Sequence, residues 1–132
     1  MTKATTFVVF GAPATKGSTV SFLSRRGVIT KTDCKGLAAW TQAVGWAARE
    51  ARVPLHPRGT AVSINAVFQF VRPTSQKGRV EPTVKPDIDK LARALLDALT
   101  NVGYVDDAQV VQLQLWKVYG NDARTTVTIK PR

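Results

Sequence analysis

The sequence predicts an α/β (α+β) fold: one domain, residues 1–132, with a mixed β-sheet of four or more strands and two main helices packed on it. Three observations predict it. The chain has 132 residues, the size of one domain, and needs no covalent staples to bury a core. Two stretches carry apolar residues at helical spacing. The other apolar stretches are β-branched or alternating, and Gly and Pro bound them.

Residues 5–10 (TTFVVF) predict a strand, broken by Gly11, Pro13 and Gly17. Residues 20–31 (VSFLSRRGVITK) read as two short strands around a turn at Arg25-Arg26-Gly27. Lys16, Arg25, Arg26 and Lys31 make this segment basic. It suits either a hairpin that grips phosphates or an ordinary solvated tip. Residues 37–52 predict the first helix, because Leu37, Trp40, Val44, Ala47, Ala48 and Ala51 recur at spacings of three and four. Arg49 and Arg52 fall in its last turn, where cations suit the helix dipole. Trp46 lies off the stripe, and partial core burial is expected of it.

Residues 53–60 (VPLHPRGT) form a Pro/Gly loop. In residues 62–71, Val62, Ile64, Ala66, Phe68 and Phe70 alternate with Ser63, Asn65, Val67, Gln69 and Val71, the pattern of a half-buried strand. Residues 72–81 are a polar basic loop with Arg72, Lys77 and Arg79. The second helix is expected over residues 87–100, with Pro86 as its start signal and the stripe Ile88, Leu91, Leu95 and Leu99, broadened by Ala92, Leu96 and Ala98. Asn101 and Gly103 end it. Residues 109–118 predict a strand, Gly120-Asn121-Asp122 a turn, and residues 125–130 the hairpin partner of that strand.

Charge narrows the function. The chain carries 19 basic against 9 acidic residues, a net charge of +10, which points to a polyanionic partner, nucleic acid before membrane. The apolar runs, such as residues 7–10, are far too short to span a bilayer, so no membrane partner is expected. The first residues lack a signal-peptide pattern, and the expected location is the cytoplasm. Cys34 is the one cysteine, which excludes an intrachain disulfide and reads as a small packed residue. His56 is the one histidine, in the loop Pro54-Leu55-His56-Pro57, and reads as a loop histidine. One Cys and one His cannot build a zinc site. Any metal must be held by oxygen ligands, which favours Mg²⁺ or Mn²⁺.

Six of the nine acidic residues (Glu81, Asp87, Asp89, Asp97, Asp106 and Asp107) lie between positions 81 and 107, with only Lys85, Lys90 and Arg93 as basic company. An acidic knot in a basic chain suggests carboxylates for a divalent cation beside a surface for a polyanion. Asp87 and Asp89 would diverge by roughly 200° inside a regular helix, so they can share an ion only if the chain is non-helical at Asp87. A helix of about 12 residues spans roughly 18 Å, so Asp106 and Asp107 must be folded back to reach them. Plainer roles fit the same spacing. Asp87 can cap the helix, Asp89 can sit in the dipole's field, and Asp89, Arg93 and Asp97 can pair along one face.

Lys85 to Leu91 (KPDIDKL), Leu95 to Leu99 (LLDAL) and Gly103 to Val110 (GYVDDAQV) together resemble the RusA family of Holliday junction resolvases. The N-terminal strand followed by the loop from Gly11 to Lys16 is similar too, with less specificity. The resemblance implies a single RusA-like nuclease domain of bacterial or phage origin. It further implies a homodimer, a Mg²⁺ cofactor that Mn²⁺ can replace, and branched DNA, the four-way junction, as substrate. Trp40, Trp46 and the strand edges are the candidate dimer contacts. Carried over by position, the metal-binding residues are Asp87, Asp89 and Asp107, with Asp106 as the adjacent acidic neighbour. The family's helical lysine falls on Arg93, and Lys90 stands where the family usually has Asn. Arg93 keeps the spacing and is the preferred stand-in, with Lys90 as the alternative.

The expected function is structure-specific endodeoxyribonuclease activity, resolving the junction by paired symmetric nicks through metal-assisted water attack. Asp87, Asp89, Asp107 and Arg93 form the catalytic set. Lys16, Arg25, Arg26, Arg72, Lys77, Arg79, Lys85 and Lys90 form the DNA-binding set. The rivals are a weakly catalytic or non-catalytic DNA-binding module, a nuclease acting on branched DNA more broadly, and an adaptor for an acidic partner.

Overall fold

A computed structural model describes residues 3–15, 19–24, 27–32, 36–76 and 78–132. Along the chain follow β1 (Thr5–Phe10), β2 (Thr19–Ser24), β3 (Gly27–Thr32), α1 (Leu37–Glu50), β4 (Val62–Val71), α2 (Ile88–Leu99), β5 (Val110–Gly120) and β6 (Arg124–Pro131). Single 3-10 turns occupy Thr74–Gln76 and Asp107–Gln109. β2 and β3 form a separate antiparallel pair, with Ser24 opposite Gly27.

The main sheet has the order β1-β6-β4-β5, with β4 and β5 parallel and the other neighbours antiparallel. It is the expected mixed sheet with two helices. The expected hairpin of residues 109–118 with residues 125–130 is corrected: β6 lies between β1 and β4, and β5 pairs with the opposite edge of β4. The reason lies in the connection. α2 is a crossover that returns the chain parallel to β4, which leaves the other edge of β4 open to an antiparallel neighbour. The short turn after Gly120 therefore passes over the end of β4. Gln69 braces it there, donating from Nε2 to the Asp122 carbonyl at 2.8 Å and to the Asp122 carboxylate at 3.1 Å.

Period-2 alternation sets the core face of the sheet. The register stacks Phe7, Val127, Ala66 and Leu115 in one row across all four strands, and Thr5, Ile129, Ile64 and Leu113 in the next. Phe7, Val127, Ala66, Ile129 and Ile64 are buried. Each large side chain of this kind contributes roughly 1.5–3 kcal/mol on burial.

α1 packs on β1 and against α2, and α2 against β5. α1 buries Trp40, Val44, Gly45 and Ala48, and α2 buries Leu91, Ala94, Leu95, Ala98 and Leu99. Three expectations are corrected. Trp46 is 66% exposed and takes no part in the core cluster or in the layer packed against it. Trp40 is buried, so it lies in the core and offers no surface to a partner. Ile88 is exposed at the first helical position, and Ala94 replaces it on the buried face. Cys34 lies outside the described residues.

Candidate active site

α2 begins where the sequence places it. Asp87 occupies the N-cap with extended backbone (φ −69, ψ 144), and its carbonyl accepts the Leu91 N–H at 3.1 Å. The chain is thus non-helical at Asp87, the condition under which Asp87 and Asp89 can act together. The Asp87 side chain makes no capping bond, so the plainer role of a capping carboxylate does not apply. Asp89 lies in the first turn, where the helix dipole favours an anion. The Lys85–Pro86 peptide is cis. Lys90 Nζ stands 3.9 Å from the Asp87 carboxylate. Arg93 is exposed one turn beyond Asp89, and the ion pairs among the described residues do not join Asp89, Arg93 and Asp97.

The second acidic pair sits in a braced turn. Thr100 ends α2, Asn101 takes a left-handed φ of 67°, and the chain reverses through Gly103, where a Cβ would stand 2.9 Å from Ile129. Asp106 then caps the 3-10 turn Asp107–Gln109, accepting from the Ala108 N–H at 3.0 Å, while the Gln109 side chain accepts from the Asp106 N–H at 2.9 Å. This reciprocal arrangement is a capping box. The bond from Ala108 holds the Asp106 carboxyl below the usual carboxylate range, helped by the Asp107 side chain and by Arg58, whose Nη1 lies 3.6 Å away. Arg58 and Asp106 border a shallow groove of about 420 Å³ beside the turn, lined also by Thr60, Gln109 and Val111.

The buried Tyr104 fastens the second acidic pair to the C-terminal half of α2. Its hydroxyl donates to the Leu96 carbonyl at 2.6 Å, which ties the acidic turn to α2. Burial pushes the phenol well above its ordinary value, and the Asp107 and Asp97 carboxylates add to that shift. The four aspartates match a hard divalent cation in donor type: all offer carboxylate oxygen, and Asp87 spends none on a cap. Among the described residues no three His, Cys, Asp or Glu side chains already surround a common point. The fit is therefore one of donor chemistry and access.

Basic side chains flank the start of α2. Arg72 lies over the Tyr119 ring at 5.2 Å, a cation–π contact. Lys85, two residues before Asp87, shares a small cavity of about 120 Å³ with Lys117 and Tyr119. Lys117 Nζ donates to the Val84 carbonyl at 2.6 Å. Arg79 is half-buried. Lys16, Arg25, Arg26 and Lys77 lie outside the described residues.

Sequence reasoning missed Arg58, Lys117 and Gln109. The Pro57-Arg58-Gly59 turn signal pointed to the first. A lysine inside a strand pattern pointed to the second. The spacing Asp106-x-x-Gln109, a capping-box spacing, pointed to the third.

The profile of the family described as Endodeoxyribonuclease RusA matches residues 15–130, most of the chain. A Bacillus subtilis (strain 168) protein described as uncharacterized protein YqaN is 41% identical over 56 residues. That match spans 42% of this chain and 39% of the relative. No helix among the described residues is long and apolar enough to cross a membrane.

Proposed function

The chain belongs to the RusA family of endodeoxyribonucleases, which resolve Holliday junctions and generally depend on a divalent metal, and from that premise we propose that it cuts four-way DNA junctions with Mg²⁺ as its cofactor. The observation that carries the reading is Asp87. It holds the N-cap position with an extended backbone, yet its carboxylate caps nothing, and it is exposed two residues before Asp89 at the start of α2.

In this reading Asp87, Asp89 and Asp107 hold the cation, and Asp106 neighbours it. When bound, the cation supplies Lewis acidity that makes water a nucleophile near neutral pH and offsets charge on the leaving 3′ oxygen. The chain's own residues do the rest. Arg93 presents a fixed positive charge to the phosphate as charge develops on it. Lys85, Lys90 and Arg72 draw the backbone toward the start of α2, and Arg79, Lys16, Arg25, Arg26 and Lys77 extend the basic surface. The bond that breaks joins phosphorus to the 3′ oxygen, and the water proton leaves to solvent.

Two copies related by a two-fold axis suit a junction whose strands repeat in pairs. β5 supports such a pairing, since it is an edge strand with Val111, Leu113 and Trp116 exposed, and Trp46 is a second exposed aromatic.

The test is cleavage of a synthetic four-way junction with Mg²⁺ and with EDTA, using wild type and Asp89→Asn. Paired symmetric nicks only with Mg²⁺, and a variant that binds but does not cut, support the reading. Equal binding in both conditions without nicking sinks it and leaves a DNA-binding module. Equal cutting of flaps or linear duplex leaves a nuclease of broader taste.

A further inference from the structure

The Gln109 side chain is buried, and its amide is engaged on both sides. Oε1 accepts the backbone N–H groups of Val105 and Asp106, each at 2.9 Å. Nε2 faces three carbonyls in a different loop: Pro57 at 2.9 Å, Thr60 at 3.0 Å and His56 at 3.3 Å. Its two protons are shared among them. The partners themselves dictate the residue type. Two donors on one side and three acceptors on the other fit a primary amide. A carboxylate would oppose three carbonyls, and an apolar side chain would take this partner from both N–H groups and from the His56 and Thr60 carbonyls, leaving only the Pro57 carbonyl with its bond from the Thr60 N–H.

The loop it grips is a tight turn. The Thr60 N–H donates to the Pro57 carbonyl at 3.1 Å, and Gly59 takes a positive φ of 88°, as the third position of a type II turn requires. That turn carries Arg58 to within 3.6 Å of the Asp106 carboxylate. One amide therefore fixes the backbone entering Asp106 and Asp107 and the turn bearing the cation beside them.

We propose that Gln109 is a positioning residue that holds the Asp106-Asp107 turn in register for the divalent cation, an inference that rests on the metal-nuclease reading above. Gln109 touches neither ion nor DNA. It acts through the two backbone N–H groups, as outer partners orient the ligands of other metal sites.

Gln109→Met keeps the side-chain length and removes both halves of the amide. Mg²⁺ titrations of wild type and variant are followed by the NMR shifts of the Asp106 and Asp107 amides, and separately by nicking of a four-way junction. The expected result is half-saturation raised about tenfold or more in both readouts, with junction binding in EDTA unchanged. A purely structural role lowers the melting temperature but leaves half-saturation of the folded protein where it was. A folded variant with the wild-type half-saturation therefore overturns the proposal.

A variant that does not fold is replaced by the wild type itself. Its Gln109 side-chain NH₂ and Val105 amide signals should move with Mg²⁺ on the same curve as Asp107, and signals that stay still while Asp107 moves overturn the proposal. A wild type that shows neither Mg²⁺-induced shifts nor nicking removes the metal-nuclease reading, and the role of Gln109 falls with it. That result is distinct from a metal-responsive wild type paired with an indifferent variant.

Discussion

The Tyr104 hydroxyl donates to the Leu96 carbonyl at 2.6 Å, and this bond pins the turn leading to Asp106 and Asp107 against the helix that starts at Asp87. The same carbonyl accepts the Thr100 hydroxyl at 3.0 Å, so it keeps a partner when Tyr104 loses its oxygen. Tyr104→Phe is therefore expected to cost about 1 kcal/mol, the net worth of one hydrogen bond, without the larger penalty of an orphaned acceptor. Urea unfolding measures it. A loss of roughly 3 kcal/mol or more would mean that the ring itself has moved, as truncation to Ala is expected to cause.

His56 offers a pH prediction with a single probe, since the chain has one histidine. Burial lowers its pKa from the ordinary 6.5. The unfolded chain takes up the proton near that value, while the folded chain holds the ring neutral to lower pH. Between the two midpoints the unfolded state binds more protons, so this contribution to stability is present above pH 6.5 and is lost as pH falls through the folded midpoint. The imidazole signal in a proton NMR titration should turn over below 6.5. A midpoint at or above that value would show that the ring is solvated.

The elements were legible in the sequence because periods of 2 and 3.6 survive in single stretches: the strand of residues 5–10 and the strand of residues 62–71 match β1 and β4. Strand partnership was less so. Gly120-Asn121-Asp122 signals that the chain turns, but nothing local says that β6 crosses the end of β4 to join β1. Burial at Ile88 and Trp46 was misjudged because a stripe marks a helix face without showing how far the neighbouring layer extends. In the candidate site, the aspartates stood out by composition and by K-P-D-x-D. The far half of the Gln109 contacts involves carbonyls about fifty positions earlier, which spacing cannot reveal.

Gly120 is required by close approach. A Cβ there would overlap the Gln69 side chain, which is held by Asp122. Gly120→Ala should destabilise by roughly 1–3 kcal/mol through overpacking and loss of the Gln69 bonds. Combining it with Gln69→Ala should recover part of that loss, because the clash and the bonds share one side chain. Strict additivity in thermal or urea melts would separate the two residues and refute the coupling.

In the proposed reading Lys90 and Arg93 take two separate roles. Lys90 Nζ stands 3.9 Å from the Asp87 carboxylate and competes there with any cation that carboxylate binds. Arg93 is exposed on α2, one turn from Asp89. Lys90→Asn, which restores the residue usual in the family, should lower the Mg²⁺ concentration needed for half-maximal nicking and leave the maximal rate nearly unchanged. Arg93→Ala should leave that concentration alone and cut the maximal rate by roughly 10²-fold, the scale for removing one group that stabilises developing charge. Arg93→Lys should recover part of it, since the charge is kept while the planar fork is lost. Metal titrations of nicking on a four-way junction separate these outcomes. If Lys90→Asn instead abolishes the maximal rate while Arg93→Ala is silent, the catalytic cation sits one residue after Asp89, and the assignment of Arg93 is wrong.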